Sequence, residues 1–203
     1  MILQAQLLVI AEQVLAEVLG RIRPQDSDIE LPAMHARAPR ASMADAVARH
    51  LDDDALLAAG LGGAPLAPAE GQDPVTAAAR VVCAAAEQVD DGTQLIDGSG
   101  GLIDGRGGLM DDGGGGLEPV NDLLLRAVLE RALLAHYVAA YLGSTACPLP
   151  EELARPLWEL TAPHAATWRA RGYFRTPMPL PDHVSWRDRF LLEAGHEPHP
   201  LGH

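Results

Sequence analysis

The chain has 203 residues, of which 48% are hydrophobic and only 4% aromatic, so a folded globular protein is expected rather than a disordered one. Its formal net charge of −13 opposes binding to phosphate backbones, and no nucleic-acid partner is expected. The sequence contains no lysine, which excludes a Schiff-base mechanism and a phosphate-binding loop of the Walker type. Alanine and leucine dominate, and because both are strong helix formers the composition predicts a mainly α protein.

The features that indicate a cellular compartment point to the cytoplasm. Cys83 and Cys147 are the only cysteines, too few for a disulfide framework. The apolar N-terminus is interrupted by glutamine and glutamate and has no arginine before Arg21, unlike a secretory signal peptide. Because no stretch is long and apolar enough to span a bilayer without charges, no membrane partner is expected.

The first half of the chain predicts three helices. Residues 2–22 carry apolar side chains at steps of three and four residues, as an amphipathic helix does, and Pro24 ends the pattern. Residues 24–41 contain prolines and no period, which predicts a loop. Ser42 and Asp45 resemble a capping box, which predicts a second helix to about Ala59. An N-terminal cap at Asp73 predicts a third helix over residues 74–89.

Residues 92–117 are dominated by three near-copies of seven residues, at 94–100, 101–107 and 108–114. Their glycines forbid a stable helix. A long mobile loop, a flap beside a pocket and a short β-turn ribbon remain open as interpretations. The regularly spaced aspartates also allow a calcium site, although the known calcium repeats have a different spacing.

The second half of the chain predicts further helices. A fourth helix is expected over residues 119–143, and because it is apolar nearly all round it should be the most buried one. A fifth helical segment is predicted from Pro150 through Trp168, and Ser185 caps a last helix that ends at Gly195.

Two histidines in apolar, helix-patterned stretches are the candidate site residues. His136 shares its helix face with Leu125, Leu129 and several alanines, which leaves room for a metal, a water or a ligand. The simpler interpretation is a core histidine that is hydrogen-bonded to a neighbour. His50 precedes Asp52, Asp53 and Asp54, whose negative charge attracts a cation. A carboxylate such as Asp52 or Glu130 could complete a metal site with these imidazoles.

The end of the chain carries the strongest resemblance to a known family. A proline-rich run at 174–182, the segment Trp186–Phe190 and a Gly-His-Glu-Pro stop at 195–198 follow one another. This order resembles the closing pattern of the superfamily of DinB-like and mycothiol-dependent maleylpyruvate isomerase proteins, in particular its small actinobacterial metal-binding branch. Weaker resemblance covers the first, second and fourth helices.

The resemblance implies an up-down four-helix bundle with a divalent metal, often zinc, held by histidines on two helices. His136 matches the last histidine of the family's Glu/His-x-x-x-His pair. Ala132, four residues earlier, stands where the family has a ligand, and alanine cannot bind a metal. His50 falls one residue later than the family's first histidine.

We therefore hypothesise a DinB-like four-helix bundle over residues 1–145, with a glycine-rich insertion at 92–117, and a C-terminal helical extension over residues 146–203 packed on it. The predicted function is a metal-dependent isomerase or thiol transferase that acts on a small organic molecule, and a homodimer is one possible assembly. His50 and His136 would bind zinc or nickel, His136 would be the catalytic residue, and mycothiol would be the thiol cofactor. Two alternatives stay open: a metal-free bundle that binds a small molecule or a protein, and a metal-independent isomerase or cyclase with His136 as acid or base.

Overall fold

The computed structural model describes residues 1–35, 40–63, 71–90, 120–144 and 146–199. The protein is mainly helical, which confirms the predicted fold class at that level. The predicted repeat at 92–117 lies outside the described residues. Within the described residues the helices are α1 Leu3–Leu19, α2 Met43–Gly60, α3 Pro74–Ala86, α4 Val120–Tyr141, α5 Glu151–Thr161, α6 Ala165–Ala170 and α7 Trp186–Ala194.

Three of the helices begin at the N-terminal caps that the sequence predicts. The Ser42 hydroxyl accepts a hydrogen bond from the Asp45 amide at 3.1 Å, and a carboxylate oxygen of Asp73 accepts one from the Thr76 amide at 2.8 Å. At α7, Ser185 accepts the Asp188 amide at 3.1 Å. Each cap satisfies a backbone donor that the first helical turn leaves free, and this fixes where α2, α3 and α7 start.

The segment predicted as a loop between the first two helices contains short regular pieces. Pro24–Asp26 forms a 3-10 turn, and the strands β1 Glu30–Leu31 and β2 Ala41–Ser42 pair antiparallel, with Glu30 opposite Ser42. This pairing brings the chain back to the start of α2. The sequence carries no alternating pattern of sufficient length to reveal strands of two residues.

The core is built around α4, which is buried on nearly all sides, as its apolar composition predicts. Helix α1 packs against both α3 and α4, and α2 packs against α3. The C-terminal helices join the same core, because Leu153 and Leu157 of α5 and Phe190 of α7 lie in one apolar cluster with residues of α1 and α4. Helix α7 also packs on α5, where the Arg189 guanidinium lies over the Trp158 ring at 5.4 Å.

None of the described helices combines the length and the apolar character that a membrane crossing requires.

Candidate metal centre

Four charged or polar side chains lie inside the core where α1, α2 and α4 meet. They are Glu12 of α1, His50 and Asp54 of α2, and Arg131 of α4, and none is more than 5% exposed. The helical repeat explains their burial. Glu12 is four residues after Leu8 and three before Leu15, so it lies on the apolar stripe of α1. His50 and Asp54 are separated by four residues and therefore share the inward face of α2.

Arg131 holds one oxygen of each carboxylate. Its Nε donates to Oε2 of Glu12, its Nη2 donates to Oδ1 of Asp54, and its Nη1 donates to the backbone oxygen of Ala127 at 3.1 Å. One guanidinium thus links all three helices through charge-assisted hydrogen bonds. The arrangement fixes the orientation of both carboxylate planes.

The remaining oxygens of the two carboxylates converge on the His50 imidazole. Nε2 of His50 lies 3.3 Å from Oε1 of Glu12 and 3.4 Å from Oδ2 of Asp54. These three atoms are buried, and within the described part of the chain none has a partner in hydrogen-bond geometry. Buried polar atoms are rarely left in this state, because each costs about 1–3 kcal/mol when it has no partner.

The spacing of the three atoms suits a small divalent cation. One ligand atom from each of Glu12, His50 and Asp54 lies within 4.8 Å of the others. Bonds of 2.0–2.2 Å from zinc to nitrogen and oxygen, arranged tetrahedrally, separate neighbouring ligand atoms by about 3.3–3.6 Å. The two contacts of the His50 nitrogen fall in this range. Imidazole nitrogen and carboxylate oxygen are also ordinary zinc ligands.

The two carboxylates differ in acidity although both contact Arg131. Burial alone would raise the pKa of Glu12, but the Arg131 guanidinium and His50 oppose it and lower that pKa to about 2. Burial dominates at Asp54: despite the attraction of Arg131, and with the Glu12 charge adding to the effect, the pKa of Asp54 rises to about 6. Near neutral pH both carboxylates are therefore ionised, and Asp54 is the first to take up a proton on acidification.

A small cavity of about 40 Å³ opens beside His50 and Arg131. Among the residues that the structure describes, His35, Asp53 and Glu130 also line this cavity. This volume is enough for an ordered water molecule. The cavity gives the buried cluster a polar neighbouring space on the side of His50 and Arg131.

The structure places the two histidines of the sequence hypothesis in different surroundings. His50 belongs to the buried cluster, whereas His136 donates from Nε2 to the backbone oxygen of Glu197 at 2.9 Å. Its neighbour Tyr137 is hydrogen-bonded through its hydroxyl to Nδ1 of His196 at 2.7 Å. Burial lowers the pKa of His136 and lowers that of His196 to about 3, so both imidazoles are neutral near pH 7. The structure thus brings together His50, Glu12 and Asp54, not His50 and His136.

Sequence reasoning missed Glu12 and Arg131 and gave Asp54 only a general electrostatic role. The available signal was a carboxylate at position 12 on the apolar stripe of α1. Of the two carboxylates considered as further ligands, Asp52 is exposed, whereas Glu130 is partly buried and lines the cavity beside His50.

Comparison of the chain with protein-family models, with curated proteins and with solved structures gave no match.

Proposed function

We propose that the protein is a metal-dependent enzyme that acts on a small organic molecule, with a divalent metal held by Glu12, His50 and Asp54. The observation that supports this is the convergence of three buried ligand atoms that lack hydrogen-bond partners among the described residues. Catalytic zinc sites commonly have three protein ligands and one open position. The cluster offers such a set, with a cavity beside it for the fourth ligand.

The residues of the chain divide the work between them. Arg131 orients both carboxylates and offsets part of their negative charge, as partners of metal-binding carboxylates do. The surrounding core excludes bulk water, which strengthens every electrostatic interaction at the site. A metal bound there supplies Lewis acidity, which lowers the pKa of a coordinated thiol or water.

The reaction type is proposed from the resemblance alone. A DinB-like up-down bundle formed by α1–α4, with an isomerase or thiol-transfer activity and mycothiol or a similar thiol as cofactor, is consistent with the helical fold and with His50 as a ligand. In this proposal Glu12 and Asp54 supply the ligands that the family pattern places at the positions of Ala132 and His136 in this sequence.

A second candidate, a metal-free protein that binds a small molecule or a partner, is favoured by one specific observation. Arg131 already compensates one oxygen of each carboxylate, so the cluster carries a cation of its own. In that case the four side chains form a buried ion-pair network that fixes how α1, α2 and α4 pack. A metal-independent isomerase with His136 as acid or base is the remaining alternative, and its support is that Nδ1 of His136 has no hydrogen-bond partner among the described residues.

Metal analysis of the untagged protein separates these candidates. The apo protein is dialysed against zinc, and bound metal is measured by mass spectrometry for wild type, His50→Ala, Glu12→Gln and His136→Ala, with circular dichroism as a check of folding. We expect one tightly held equivalent in wild type and in His136→Ala, and its loss in the other two. X-ray absorption spectroscopy at the zinc edge should then show one imidazole ligand, with oxygen atoms as the other ligands.

Two results would contradict the proposal. A folded wild type that retains no metal transfers the support to the metal-free candidates. Loss of the metal in His136→Ala, with retention in Glu12→Gln, would restore the ligand pair predicted from the family pattern.

A further inference from the structure

An apolar groove of about 320 Å³ runs between α2 and α3 and reaches the candidate metal centre. Its α2 wall is formed by Leu51, Ala55 and Ala58, which recur at steps of three and four residues, and its α3 wall includes Ala78 and Val81. The groove exists because most of these side chains are single methyl groups, which leave the space between the two helices unfilled. Its volume lies at the lower end of the range for small-molecule sites, about 300–1,000 Å³.

Asp54 is the one ionisable side chain among the described residues that line the groove. It is 1% exposed, and its Oδ2 has no hydrogen-bond partner in the described part of the chain. The same oxygen lies 3.4 Å from Nε2 of His50, and Asp54 belongs to the Glu12–His50–Asp54 group. The apolar groove and the candidate metal centre therefore share one residue, Asp54.

We infer that this groove binds the hydrocarbon part of the substrate and directs a single polar head toward the metal centre. This inference rests on the proposed function. The substrate class is a small neutral molecule with an aliphatic or aromatic body and one oxygen or sulfur group that binds metal. A neutral molecule fits better than an anion, because no described lining residue is cationic and because the net charge of −13 repels anions.

Because the groove walls are apolar, the hydrocarbon part of the ligand is the main source of its affinity. Burying a group the size of a phenyl ring contributes enough free energy to change affinity by about ten- to a hundredfold. A polar head alone gains nothing from the groove. Two ligands with the same head and different bodies therefore distinguish the groove from the metal centre.

Isothermal titration calorimetry of the zinc-loaded protein, which measures its affinity for benzohydroxamic acid and for acetohydroxamic acid, tests the inference. Both probes carry the same metal-binding head, but only the first has an aromatic body. We expect benzohydroxamic acid to bind at least about tenfold more tightly. Ala78→Leu and Ala55→Leu fill the groove from opposite walls without touching a ligand atom, and they should abolish this preference while zinc affinity is unchanged.

Ala84→Leu is the matched control, because Ala84 lies on α3, is exposed and is not part of the groove lining. Leucine is nearly as good a helix former as alanine, so all three variants should fold. Equal affinities for the two probes in wild type, or a preference that survives both filling variants, would overturn the groove assignment and leave the metal centre intact. A protein that binds no zinc overturns the inference together with the proposed function, and this outcome is recognised before any probe is added.

Discussion

Nε2 of His50 lies 3.4 Å from Oδ2 of Asp54, one turn further along α2, and neither atom makes a hydrogen bond to a described residue. Both atoms have lost their contact with water, and this loss is not compensated. A cation between them, shared with Glu12, would remove the cost. The metal-free state of the cluster is therefore a source of instability, and the way each member responds to substitution or pH can be predicted.

Replacing Arg131 with methionine should destabilise the metal-free protein strongly. The substitution leaves two buried carboxylates without their cation, and removing one partner of such a network costs about 3–5 kcal/mol. Zinc should restore more stability to this variant than to wild type, because the metal supplies the missing positive charge. Urea unfolding with and without zinc measures both effects.

Arg21→Met provides the control for the Arg131 prediction. Arg21 forms an ion pair with Glu17 at an exposed position of the first helical region, and pairs of this kind contribute little. A metal-free Arg131→Met protein as stable as Arg21→Met would show that the guanidinium is not required to hold the carboxylates in the core.

In the metal-free protein, the contribution of Glu12 and Asp54 to the free energy of unfolding should be greatest near pH 4. The pKa of Glu12 is about 2 in the folded state, below its usual value of 4.5, so its contribution is present above pH 4.5 and is lost as the pH falls toward 2. The pKa of Asp54 is raised from 3.8 to about 6, so the folded state binds a proton at pH values where the unfolded state has released it. Stability therefore falls as the pH rises from 3.8 to about 6.

Thermal unfolding in the presence of a chelator, compared between wild type and Asp54→Asn, isolates the Asp54 part. The variant should lose the decrease in stability between pH 4 and pH 6 that wild type shows. Zinc binding requires the ionised carboxylate, so the stabilisation by zinc should grow from pH 5 to pH 7 in wild type. Parallel pH profiles for the two proteins would contradict the raised pKa of Asp54.

The sequence predicts the helices better than the site, and the reason is physical. Caps such as Ser42 and Asp73 are local signals, readable within four residues, and they place α2 and α3 correctly. The Glu12–Arg131 contact joins positions 119 residues apart, and no local pattern carries that information. The imidazole of His50 is a potential ligand by its chemistry, but which carboxylates it meets depends on how α1, α2 and α4 pack. The family resemblance and its predicted His136 ligand stay predictions.

Loosening of the C-terminal segment should accompany acidification. The pKa of His196 is lowered from 6.5 to about 3 by burial, with the positive charge of Arg175 adding to the effect. The His196 imidazole therefore becomes protonated in the unfolded state while it stays neutral in the folded state, and stability is lost as the pH falls below 6.5. Hydrogen exchange should show residues 190–199 losing protection before α1 and α4 do.

Tyr137→Phe tests the same contact by a different route. It removes the hydroxyl that pairs with His196 and should cost about 1–3 kcal/mol, because Nδ1 of His196 is left buried without a partner. Zinc content should not change, since Tyr137 and His196 lie outside the metal-ligand group. A loss of zinc in this variant would place the C-terminal segment within the metal centre.

Gly195→Ala should be far more damaging than Gly143→Ala, although both glycines have the same left-handed backbone. Their φ angles are 82° and 86°, so an alanine pays a similar conformational cost of about 1–2 kcal/mol at each position. At Gly143 a Cβ would meet no described atom within 4 Å, whereas at Gly195 it would lie 2.5 Å from the Thr176 backbone oxygen and 2.6 Å from Cβ of Arg175.

The close approach at Gly195 is what lets the chain leave α7 and reach α4. The two residues after it, His196 and Glu197, make the hydrogen bonds to Tyr137 and His136. We expect Gly195→Ala to lower the free energy of unfolding by at least about 3 kcal/mol, against about 1–2 kcal/mol for Gly143→Ala. Urea unfolding of both variants measures the difference, and equal losses would mean that the segment after α7 can shift without cost, so that its contacts with α4 do not fix its position.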